Sequence, residues 1–68
     1  METWRVISID PETKRRFVAT FDTEEQAKKS IERNGLNPFT TLRFKGDSTT
    51  LDDLEKEGFA ILSHLLYS

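Results

Sequence analysis

The chain contains no cysteine and only one histidine in 68 residues. The first absence excludes disulfide staples, thiolate zinc sites and a cysteine nucleophile. The second leaves most imidazole-based catalytic constellations without their parts. Three glycines are too few and too scattered for a phosphate-cradling loop. Apolar runs long enough to span a bilayer are missing, and Met1-Glu2-Thr3-Trp4-Arg5 lacks the basic segment and apolar stretch of a signal peptide. The expectation is a soluble cytoplasmic protein with no membrane partner, no cofactor and no enzymatic activity. A large charge excess is also lacking. Ten Lys and Arg against twelve Asp and Glu give a net charge of -2, whereas a dedicated duplex-binding domain carries a positive surplus that displaces condensed counterions.

What the sequence does hold fits one small domain over residues 1–68. A chain of this size buries only about 60% of its extended-chain surface on folding, and 35% hydrophobic residues supply one thin core. Two segments, Trp4–Asp10 and Arg16–Phe21, are rich in β-branched and aromatic residues and read as strands. Between them Asp10-Pro11 sets a turn, because proline presets φ and the aspartate side chain accepts from turn amides. If Asp10 lies opposite Arg15, then Trp4, Val6, Phe17, Ala19 and Phe21 share one face. Arg5, Ile7, Ile9, Arg16 and Val18 share the other.

A helix is expected from about Thr23 to Asn34. Asp22/Glu25 and Thr23/Gln26 both have capping-box spacing, Glu24/Lys28 and Glu25/Lys29 pair four apart, and Asn34-Gly35 supplies a stop. Phe39–Lys45 alternates, placing Leu42 and Phe44 on one side and Phe39, Thr41 and Arg43 on the other, as a third strand would. The tail reads as a second helix capped by Ser48, Thr49 or Thr50, with Asp52, Asp53 and Glu55 in the favourable field of its N-terminus. Leu51, Leu54, Ile61, Leu62, Leu65 and Leu66 fall in a roughly 160° arc with Phe59 at its edge. Glu55 intrudes on that arc, and Gly58 suggests a kink or break. The resulting class is α+β, in the order β-β-α-β-α. Its three-stranded sheet has the order 2-1-3 because the first strand is apolar toward both faces.

The chemistry-bearing groups are sparse. As a general base His64 would need a nucleophile and an orienting carboxylate, and it lies away from the apolar arc. Asp47, Asp52, Asp53, Glu55 and Glu57 do not follow the alternating spacing of a calcium loop, so no catalytic or metal residue is assigned. Two surfaces remain unusual. One is the outer sheet face, where Arg5, Ile7, Ile9, Arg16 and Val18 mix cationic and aliphatic groups and Phe39 and Arg43 are placed to join them. The other is the part of the second helix expected to stay exposed: Phe59, Leu62, Leu66 and Tyr67. Arginine interleaved with apolar groups suits a protein interface. These eleven residues are therefore the expected contact set of a small protein-binding regulator or inhibitor, of the phage or accessory type. Its partner is another protein or a second copy of the chain.

The alternative is a nucleic-acid-binding module using Arg5, Lys14, Arg15, Arg16 and Arg43, with phosphates contacted at the hairpin end. Trp4, Val6, Lys14, Arg15, Phe21-Asp22-Thr23 and Ala27 resemble the pattern of the N-terminal arm-binding domains of tyrosine-type integrases. In those domains a sheet docks in the DNA groove ahead of one helix. The likeness covers about a third of the chain. That family has three strands before its helix and a strongly basic balance, where this chain offers two strands and an acidic total, so the chain is not assigned to it.

Overall fold

The computed structural model describes residues 2–67. Its elements are β1 (Thr3–Ile9), β2 (Arg16–Phe21), α1 (Glu24–Arg33), a 3-10 turn (Pro38–Thr40), β3 (Thr41–Gly46) and α2 (Ser48–Tyr67). The strands form one sheet in the order β2-β1-β3, with both pairings antiparallel. This is the α+β architecture expected from the sequence. The strand apolar toward both faces occupies the centre, where Val6, Ile7 and Ile9 are all buried.

The hairpin register follows from its turn. Asp10 donates its amide to the Arg15 carbonyl at 2.9 Å, so Trp4 faces Phe21, Val6 faces Ala19 and Ile7 faces Val18. The Asp10 carboxylate accepts from the amides of Glu12 and Thr13 at 2.8 and 3.1 Å. Those two bonds are the main reason its pKa lies below the ordinary value, with the nearby charges of Lys14 and Arg15 adding to them. The chain closes the turn through Lys14 at φ +64°, a left-handed conformation that costs an L-residue about 1–2 kcal/mol.

Helix α1 begins where Thr23 accepts from the Gln26 amide at 3.2 Å and Gln26 returns a side-chain acceptor to the Asp22 amide. Of the two spacings in the sequence, Thr23/Gln26 is the one that caps. Ion pairs Glu24–Lys28 at 3.0 Å and Glu25–Lys29 at 3.8 Å line its exposed side. Lys28 also holds the Glu24 carboxyl below its usual pKa by hydrogen bonding. The helix stops at Gly35, whose φ of +60° lets the Gly35 and Leu36 amides fold back onto the Glu32 and Ile31 carbonyls.

Three expectations for the second half need correction. Phe39 is not in a strand. Asn37 accepts from the Phe39 amide at 2.9 Å and caps the 3-10 turn, so β3 starts at Thr41. The cap of α2 is Asp47, not Ser48, Thr49 or Thr50. Its carboxylate accepts from the Thr50 amide at 2.8 Å, and that bond is the leading cause of its lowered pKa. Gly58 does not break the helix, which runs unbroken for 20 residues. A Cβ there would stand 2.5 Å from Ile7 Cδ1 and 3.2 Å from Leu42 Cδ1. Glycine is present because the helix backbone lies directly on the sheet.

The two helices cover opposite faces. α2 packs on β1 and β3, joining Phe59 and Leu62 to Ile7 and Ile9 with Leu42, Phe44 and Leu66 around them. α1 packs on β1 and β2, on the side of Val6, and buries Ala27. Each fully enclosed aliphatic side chain contributes about 1.5–3 kcal/mol. Among the described residues no buried side-chain nitrogen or oxygen lacks a hydrogen-bond partner. Thr41 spends its hydroxyl proton on the Asn37 carbonyl at 2.6 Å, which leaves the buried Ser8 as donor in their 2.8 Å contact.

Candidate protein-binding surface

The outer sheet face expected to be free is covered along β1 and β3. Ile7 and Ile9 are interior, as are Phe59 and Leu62 from the helix, and Leu66 packs partly buried against them. Five residues of the expected contact set are therefore spent on the core. The reason is α2 itself: its Leu51–Gly58–Leu62 line points at the sheet and carries Phe59 and Leu66 inward with it. What faces solvent on the helix is the neighbouring stripe. Ile61 and Leu65 are 63% and 58% exposed, one turn apart on the same side, with half-buried Leu54 two turns before Ile61. Neither Ile61 nor Leu65 is in the expected set. The signal that finds them is Gly58, because the point of closest approach fixes which edge of the wide arc is left over.

Arg5 is a clamp. Its guanidinium reaches Glu55 at 2.6 Å and Asp52 at 3.5 Å, and its Nε donates to the Thr20 hydroxyl at 2.8 Å. The side chain is only 15% exposed. Glu55 interrupts the apolar arc because it crosses to this partner on the sheet, a bond to a charged group worth about 1.5–3 kcal/mol.

The remaining cations are dispersed. Lys14 lies over the Tyr67 ring at 5.3 Å and Arg16 over Phe59 at 4.8 Å. Arg43 pairs with Val6 in the β1–β3 register, so it sits on the α1 side, opposite Arg5 and Arg16. There it shares the Trp4 ring with Lys45 at 5.9 and 5.8 Å. The expectation that Arg43 and Phe39 join the Arg5 face is corrected by the β3 register and by the 3-10 turn, which leaves Phe39 85% exposed. Of the five basic residues considered for nucleic acid, only Lys14, Arg15 and Arg16 come together, at the hairpin end.

Beside α2 runs an open groove of about 530 Å³ lined by Arg16, Val18, Glu55, Lys56, Phe59, Ala60 and Ser63. Val18 is 47% exposed at its floor. A second, more polar hollow of about 520 Å³ runs from Asp10, Glu12 and Arg15 to Asn34 and Asn37. Its buried hydroxyl, Ser8, already donates to Thr41. Among the described residues no three His, Asp or Glu side chains are grouped to hold a metal, and no helix is long and apolar enough to cross a membrane. His64 is exposed on α2. No protein-family model, curated protein or solved structure matches the chain.

Proposed function

We propose that this is a non-enzymatic protein-binding module, a small cytoplasmic regulator or inhibitor that acts by occupying a partner protein's surface with the solvent side of α2. The observation that carries this reading is the pair Ile61 and Leu65. Both are more than half exposed although the helix has already supplied Leu51, Phe59 and Leu62 to the interior. Two adjacent large aliphatic groups on one helix face gain most by burial against another surface. Lack of cysteine agrees with a reducing compartment. Division of the basic residues among both sheet faces and the hairpin end favours protein over nucleic acid as the partner.

The test is affinity capture from native extract with the unaltered chain and with an Ile61→Glu/Leu65→Glu double variant. The expected result is a stoichiometric protein partner whose retention withstands moderate salt and drops at least about tenfold in the variant, since each position is a central apolar anchor. Equal capture by both proteins, or no partner at all, contradicts the proposal.

A further inference from the structure

Resting on that reading, we infer that the groove between β2 and α2 takes an acidic amphipathic helix of the partner protein. The first argument is dimensional. α2 lies over β1 and β3, so with strands about 4.8 Å apart the axis of β2 runs about 7 Å to the side of the line α2 covers. A helix packed beside α2 at the usual axis separation of about 8–10 Å therefore sits over β2, where Val18 is nearly half exposed. An extended strand would leave this width unfilled.

Lining chemistry supplies the second argument. Val18 and the edge of Phe59 form an apolar floor, and the small side chains Ala60 and Ser63 line the α2 wall, permitting close approach of another helix. Lys56 also lines the groove, and Arg16 lies over the Phe59 ring at 4.8 Å. Among the described residues neither has a carboxylate within ion-pair distance. Glu55, the one acid in the lining, is held by Arg5 at 2.6 Å. At the far end Lys14 adds a third cation over Tyr67. An apolar floor beside unpaired cations is complementary to a helix with an apolar stripe flanked by Glu or Asp, because burial and charge matching then act on the same docked geometry.

The experiment titrates two synthetic 18-residue amphipathic peptides into the isotopically labelled full chain and follows backbone amide shifts. Both peptides carry the same leucine face. One is flanked by glutamates, the other by lysines. The expected result is shifts at Val18, Ala60 and Ser63 with the glutamate peptide, and an affinity at least about tenfold above that of the lysine peptide. That preference should shrink as salt rises. Arg16→Glu/Lys56→Glu should reverse the preference, and Ala60→Trp should fill the groove and abolish binding, with thermal melts confirming that each variant folds. Equal affinity for the two peptides, no binding of either, or shifts confined to Ile61 and Leu65 overturns the groove assignment. So does concentration-dependent doubling of mass that Ala60→Trp removes, which would assign the groove to a second copy. These outcomes leave the wider reading standing if the Ile61→Glu/Leu65→Glu variant still loses its captured partner. Loss of that result alone, with groove binding intact, would instead remove the Ile61–Leu65 stripe and keep the groove.

Discussion

The sheet has two strips that its helices do not cover, and the chain treats them differently. α1 lies over β1 and β2, and α2 over β1 and β3, leaving the α1 side of β3 and the α2 side of β2. On β3 the strip is closed from within, because Arg43 and Lys45 both lie over the half-buried Trp4, while Lys45 meets Glu2 at 3.9 Å. On β2 the only cation over an aromatic ring is Arg16 on Phe59, and Val18 beside it stays nearly half exposed. Both strips lay a cation over an aromatic ring; the difference is that two cations cover Trp4, whereas on β2 Val18 is left nearly half exposed beside Arg16. A closed strip contributes to folding, whereas an open one is available to a partner.

The largest perturbation should come from the seam that creates this asymmetry. Leu62→Ala removes a side chain 2% exposed and should destabilise by about 3 kcal/mol, within the usual range for buried leucine, as read from urea denaturation. The two strips themselves come next. Trp4→Ala should cost about 2 kcal/mol because its ring is packed under two cations, whereas Val18→Ala should cost under about 0.5 kcal/mol. Equal costs in the same titration would erase the distinction.

Gly58→Ala should destabilise by about 1–2 kcal/mol, because steric overpacking against Ile7 exceeds the gain in helix propensity. A stabilised variant would mean that α2 does not lie directly on the sheet. The smallest effect has the opposite sign. Lys14→Gly relieves left-handed strain and should raise stability by about 0.5–1 kcal/mol, after loss of the exposed contact with Tyr67. A thermal midpoint unchanged or lowered would place that turn in another conformation.

How much of this was legible in the sequence depended on how local each signal was. The hairpin register was readable because Asp10 and Arg15 are joined by a short turn whose chemistry lies within it. Helix α1 was readable to within a residue because Thr23, Gln26 and Gly35 act on backbone groups three or four residues away. Arg43 was misplaced because its facing depends on β1–β3 pairing, a contact between segments about forty residues apart that no local pattern encodes. Phe39 was misread for a different reason. Its alternation with Thr41 and Arg43 imitated a strand, while the Asn37-Pro38 start of a 3-10 turn was a weaker cue. Gly58 shows the limit most plainly: read one-dimensionally it is a helix breaker, and only the distance to Ile7 turns it into the seating point of α2. The same distance decides which edge of the apolar arc is exposed, so the helix was legible while its contact surface was not.

The central claim is that α2 is divided between an inward line at Leu62 and an outward stripe at Ile61 and Leu65. Because the chain has no cysteine, single Leu62→Cys and Leu65→Cys variants make this measurable by thiol labelling under native conditions. The structure predicts that Leu65→Cys reacts at close to the rate of an unstructured thiol, while Leu62→Cys reacts orders of magnitude more slowly, through transient opening alone. Matching rates at the two positions, or the faster rate at Leu62→Cys, would contradict it.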